Sequence, residues 1–312
     1  MLSRIADSLF WLNRYMERND CLIRVIRTNY ILSFDADQST DFSWNDVITL
    51  FSHNTTPATQ YGDNAANAIK YLIANTKNLN SGKVLVTKAR ENARGVQDYI
   101  TKEVWEQVNQ LYHIVNSPGI EEKITGLHTM DIIELLDQNS ILFYGVIDST
   151  MPRGQGWQFL NLGKHIERCM LTIDNIYAHS QKMNHQLDIP RDILFWKNLL
   201  LSLSGYELYL KTYTRGQYNL NVLEHVIFNK NFPRSLIYSL LRVRRYLKEV
   251  AEHTRIEENT KLEKQLGKIC SKVEFADINT VKQEGLPQFL HSLRNDLTDF
   301  SKQLTQIYFS YA

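Results

Sequence analysis

Between Leu9 and Ile26 the chain carries apolar residues on two sides of one helix, with charges set into one of those sides. At 100° per residue, Leu9, Leu12, Met16, Ile23 and Ile26 form a single stripe. Phe10, Trp11, Cys21 and Val25 lie opposite, on the face shared by Asp7, Arg14, Glu17 and Arg18. A helix apolar nearly all round belongs in an interior. Its charges must then pair with one another or line a wet cleft, because an isolated buried charge costs on the order of several kcal/mol. Arg14 and Glu17, three residues apart, can meet on the same helix face.

The pattern recurs 150 residues later. Leu9, Leu12, Met16, Ile23 and Ile26 pair at that offset with Phe159, Leu162, Ile166, Ile173 and Ile176. The same register pairs Arg14 with Lys164, Glu17 with Glu167, and Arg18 with Arg168. Three charged matches in one register point to an internal duplication of an Arg/Lys-x-x-Glu-Arg helix. Two readings of this candidate polar cluster stand. Arg14, Glu17, Arg18, Lys164, Glu167 and Arg168 either form a structural network locking two central helices or line a polar cleft. In a cleft, nearby positive charge would keep Glu17 and Glu167 ionised, which suits ligand or metal binding better than proton donation.

The rest of the chain is consistent with an all-α, multi-helix bundle. Alternating apolar runs with Asn-Gly or Asp-Gly turns are missing, and apolar residues recur at three- and four-residue spacing. Helices are expected near 3–33, 43–53, 62–79, 81–115, 128–149, 155–184, 190–215, 218–228, 233–257, 259–272 and 286–310, with 34–42 the most loop-like stretch. Prolines at 57, 118, 152, 190, 233 and 287 fall mostly at the breaks. No segment has the Pro, Gly or Ser density of a flexible linker, so the 312 residues are expected to form one unit with two related halves, 1–150 and 151–312.

Composition excludes several classes. Lys and Arg total 35 against 34 Asp and Glu, which argues against a nucleic-acid or anionic-membrane partner. Cys21, Cys169 and Cys270 are odd in number and far apart, which fits neither a disulfide framework nor a thiolate zinc site. The opening MLSRIADSLFWLNRYMER is too charged for a signal peptide, so a cytoplasmic location is expected.

Matches to a known family run through the chain. MLSRIADSLFWLNRYMER, ARENARGVQDYITKEVWEQVN (89–109), TMPRGQGWQFLNLGKHIER (150–168) and FNKNFPRSL (228–236) resemble, in order, the motifs of the alpha-E domain family of bacterial helical proteins. The resemblance implies an all-helical fold and association with ATP-grasp ligases and transglutaminase-like proteins, hence peptide synthesis or modification. It also singles out Arg4, Arg90, Glu91, Arg94, Arg153, Trp157 and Arg234 as family-matched polar positions besides the cluster. Lys164 stands where an arginine is usual, and Asn19-Asp20 where Ala-Glu is usual. Lysine keeps the charge but loses the planar fork that grips carboxylate or phosphate.

Motifs that carry chemistry are sparse in this chain. GxGxxG, GxxxxGK[ST] and GxSxG are absent, and no Glu is followed three residues later by His, so no nucleotide loop, nucleophile elbow or di-metal bundle is expected. No metal site and no particular cofactor are indicated. Cys21 and Cys169 sit in helices and read as packed thiols, and His165 as a surface or packing residue. Arg90, Glu91 and Arg94 read as local helix pairs. Arg153 and Arg234 stand beside helix starts, where an arginine can help backbone N–H groups hold an anion. The run YELYLKTYTRGQY (206–218) is expected to expose alternating aromatic and basic residues. Two functions remain: an accessory helical protein partnering an ATP-grasp or transglutaminase-like protein or its peptide, or an enzyme using Glu17 and Glu167 with flanking arginines on a peptide or amino-acid carboxylate.

Overall fold

A computed structural model of the chain describes residues 2–34, 43–52, 64–213, 216–254 and 258–309. Among these residues there are fifteen α-helices and no strand. Most of the expected loop at 34–42 lies outside the described residues. The chain divides into two compact units, Trp11–Arg153 and Gly154–Ala312 together with Met1–Phe10. The first helix, α1 (Ser3–Leu32), contributes its opening turns to the second of these and the remainder to the first.

In the unit Trp11–Arg153, α1 is followed by α2 (Trp44–Phe51), α3 (Ala65–Ile73), α4 (Gly82–Gly95), α5 (Lys102–Val115), the single turn α6 (Ile120–Lys123) and α7 (Thr129–Thr150). Helix α5 packs on both α4 and α7. Four of these starts are chemically marked. Ser43, Asn64, Ser81 and Thr101 accept backbone N–H groups of the first turns of α2, α3, α4 and α5.

Two expected helices are corrected here. The segment 81–115 is not continuous: after Gly95 the chain makes a 3-10 turn at Gln97–Tyr99, extends at Ile100, and restarts at the Thr101 cap. The helix expected to reach residue 79 stops at Ile73, because the Asn75 and Asn78 side chains accept backbone N–H groups of Lys77, Asn78 and Asn80 and hold a turn instead.

The unit Gly154–Ala312 centres on α8 (Gln155–Gln181), which packs most extensively on α12 (Leu236–Thr254) and also meets α15 (Leu286–Tyr308). Helices α9 (Ile193–Ser202), α10 (Tyr206–Thr212), α11 (Tyr218–Phe228), α13 (Asn259–Glu274) and α14 (Ile278–Glu284) complete it. Phe10 belongs with this unit because its ring meets Phe309 at 5.1 Å, and Phe309 in turn meets Phe159 of α8 at 5.7 Å. Arg294 forks onto Asp174, pinning α15 to α8.

The expected helix 190–215 is likewise divided. Ser204 takes a left-handed conformation and Gly205 N–H returns to the carbonyl of Leu200, closing α9. Gly205 also lies under Phe232, where a Cβ would come within 2.7 Å of the ring. Sequence reading missed α14, marked by a capping box of Asp277 and Thr280, and α6.

His179 and His225 are buried in this second unit. Burial lowers His179 to about 3 and His225 to about 4. Since the unfolded imidazoles titrate near 6.5, the stability held in their neutral forms is complete above that pH. It is lost as pH falls from there toward the folded values. Chemical denaturation at pH 7.5 and pH 5 should therefore show a loss of about 2 kcal/mol for each histidine. His225→Gln should be less stable at pH 7.5 and should flatten the dependence.

Candidate functional site

The apolar stripes of α1 and α8 are both buried: Leu9, Leu12, Met16, Ile23 and Ile26 on the one, and Phe159, Leu162, Ile166, Ile173 and Ile176 on the other. Every residue from Leu9 to Tyr30 is buried or half-buried, as expected of a helix apolar on two sides. The two Glu-Arg dipeptides, at 17–18 and 167–168, each stand near the middle of a long helix.

In the unit Trp11–Arg153 the polar face of α1 is engaged by its neighbours. Glu17 is 1% exposed and accepts a hydrogen bond from the Tyr144 hydroxyl of α7 at 2.8 Å. One position on, Arg18 Nη1 donates to Asn80 Oδ1 at 2.9 Å, just before α4. Asn19 Nδ2 donates to Ser140 Oγ of α7 at 3.2 Å, and Ser140 donates back to its own helix at Leu136. Asp20, 1% exposed, pairs with Arg24 at 3.3 Å, and the Arg14 guanidinium lies 4.6 Å from the Trp11 ring centre. Asn19-Asp20, where the family usually has Ala-Glu, thus supplies one bond to α7 and one ion pair within α1. Tyr144 and Ser140 lie four residues apart, so consecutive turns on one face of α7 bond to two positions within a single turn of α1.

In the unit Gly154–Ala312, α8 holds the segment before α12. Arg168 Nη1 donates to the Pro233 carbonyl at 3.3 Å, and Thr172 Oγ1 to the Arg234 carbonyl at 3.2 Å. Ser235 caps α12 by accepting the Tyr238 N–H while its hydroxyl donates to the Asn229 carbonyl. The Glu-Arg helix and the FNKNFPRSL segment are therefore one contact. Glu167 is buried and Lys164 half-buried on the same helix. His165 is buried and stacks on Tyr246 at 5.9 Å, a packing residue.

The other family-matched positions separate by role. Among the described residues Arg90 forms no local helix pair. It crosses to α5, where Nε donates to Asn109 at 2.6 Å and the guanidinium lies 4.4 Å from the Tyr112 ring centre. Glu91, Arg94 and Arg4 are exposed, and Trp157 is half-buried. Arg153 donates to the carbonyl and carboxylate of Asp148. Arg234 contributes its backbone carbonyl to α8.

The aromatic run is corrected as well. Tyr209 is buried and Tyr213 half-buried, one turn apart on the same side of α10, both edge-on to His225 at 5.8 and 5.7 Å; Arg215 lies outside the described residues. Burial pushes both hydroxyls up to about 12. Cys21, Cys169 and Cys270 are all buried, and burial raises the Cys270 thiol to about 11. Among the described residues no group of three or more His, Cys, Asp or Glu is placed to hold a metal, and no helix is long and apolar enough to cross a membrane.

These features define an all-helical protein whose long, buried helices each carry a Glu-Arg pair. Residues 1–309 match the Alpha-E family, described as a predicted alpha-helical domain with a conserved ER motif. The chain belongs to that family, and its Glu-Arg dipeptides stand at 17–18 and 167–168. It finds no significant match among curated proteins or solved structures.

The Arg90 contact gives a direct test. Arg90→Lys keeps the charge but loses the Nε bond and the stacked plane, and should cost about 1–2 kcal/mol in thermal denaturation. Glu91→Gln, on the exposed side of α4, should stay within about 0.5 kcal/mol.

Proposed function

We propose that this protein is an accessory helical partner of an ATP-grasp amide ligase or transglutaminase-like system acting in peptide synthesis or modification, and that it performs no chemistry itself. The observation that carries this reading is the setting of Glu17. A group 1% exposed and held by Tyr144 at 2.8 Å is built to fix α1 against α7, not to meet a substrate. Arg168, bound to the Pro233 carbonyl, does corresponding work in the other unit. The partner class is the one that the resemblance of the sequence motifs implies.

We read α1 and α8 as copies of one helix, supported by the matching register of five apolar and three charged positions. The basic residues beside each glutamate then serve the same purpose twice, with Lys164 a single-point substitute for the arginine fork. A cytoplasmic setting accords with three buried cysteines, odd in number and far apart in sequence.

Titration calorimetry with an ATP-grasp ligase from the same organism, and separately with its transglutaminase-like neighbour, should show saturable association with one of them. The isolated protein should turn over none of their substrates. Lack of association with both removes the reading. Turnover by the isolated protein, abolished by Glu17→Gln at unchanged melting temperature, would establish the enzymatic alternative.

A further inference from the structure

The unit Gly154–Ala312 contains a cavity of about 610 Å³ remote in sequence from both Glu-Arg pairs, lined by residues 187–188, 190–192, 216–220 and Lys282. Its volume lies within the range of small-molecule sites. One buried amide organises its wall. Asn219, 4% exposed, donates to the carbonyls of Leu187 and Ile189 at 2.9 and 2.8 Å, and accepts from Trp196 Nε1 at 2.9 Å and the Arg191 backbone N–H at 3.3 Å. Four hydrogen bonds from one side chain fix the 187–191 backbone against α11 without a ligand, so the cavity is preorganised.

The charges on this wall do not all cancel in the same way. Lys282 pairs with Asp188. Asp192 caps α9 by accepting the Phe195 N–H at 3.0 Å, where the helix dipole favours a negative group. Arg191 forms no ion pair and no side-chain hydrogen bond among the described residues; its guanidinium rests 5.1 Å from the Phe195 ring centre. The remaining lining includes Leu187, Pro190, Tyr218 and Leu220. A preformed cavity with apolar walls and one cation lacking an anionic partner calls for a ligand with one negative charge and an apolar body.

We propose that this cavity binds a small amphipathic monocarboxylate, its carboxylate on Arg191 and its hydrocarbon or aryl part against Leu187, Pro190, Tyr218 and Leu220. A phosphate dianion is disfavoured, since the second cation, Lys282, already has Asp188. The guanidinium fork suits a carboxylate bidentately, a geometry that a lysine at this position would lack.

The test is an NMR and calorimetric titration of the full chain with octanoate, phenylacetate, hippurate and N-acetyl-leucine, each beside its neutral primary amide. At least one carboxylate should bind saturably below about 1 mM, with its amide at least tenfold weaker, the equivalent of one charge-assisted contact of about 1.4 kcal/mol. Arg191→Gln should lose at least tenfold in affinity for the carboxylate and little for the amide. Leu220→Trp, which fills the cavity and leaves Arg191 in place, should abolish binding of both. Absence of binding by all four carboxylates, equal binding of acid and amide, or unchanged affinity in Arg191→Gln would each overturn the assignment. Melting temperatures of both variants establish that they are folded when titrated.

Discussion

A carboxyl group inside a helical core must be held by something, and in this protein that requirement shapes the unit Trp11–Arg153. Glu17 could not occupy a 1% exposed position without compensation, because leaving its oxygens unpaired would cost on the order of several kcal/mol. Tyr144 supplies a hydroxyl from α7, and with Ser140 one turn earlier it fixes the register of α1 on that helix. A slide of α1 by one turn would break the Glu17–Tyr144 and Asn19–Ser140 bonds. Hydrophobic burial provides the stability, and the polar face selects one arrangement.

The same division of labour recurs around α8 with different chemistry. Its stripe packs on α12 and α15, while Arg168 and Thr172 grip the carbonyls of Pro233 and Arg234 at the turn into α12. Pro233 has no N–H, and the geometry of this turn is set by carbonyl acceptors and the Ser235 cap. This explains why segments far apart in sequence read as parts of one family pattern: one supplies the donors and the other the backbone they hold. The cavity beside Arg191 stands apart from this framework, built by Asn219 instead of the Glu-Arg helices.

The all-helical class and the buried middle of α1 were legible because a three-to-four spacing of Leu, Ile and Met leaves no other period, and because Phe10, Cys21 and Val25 made the opposite face apolar too. The breaks within 81–115 and 190–215 were not. They depend on Val96 and Ser204 adopting conformations that no local pattern announces, although Gly95 followed by Thr101, and Gly205 itself, were available cues. Partners across tertiary contacts were also out of reach. Nothing in the sequence links Glu17 to Tyr144 or Arg90 to Asn109, since spacing reports only neighbours on the same helix. Asn219 went unremarked because one asparagine in a polar stretch has no motif; its four bonds become visible only in three dimensions.

The central claim is that Glu17 fixes α1 on α7. A double-mutant cycle in urea denaturation, with Glu17→Met, Tyr144→Phe and the double variant, measures it directly. Each single change should destabilise the protein, and the two should be coupled by about 1–3 kcal/mol, so that the second substitution costs far less once the first is made. Glu17→Met at unchanged stability, or strictly additive effects, would contradict a locking role.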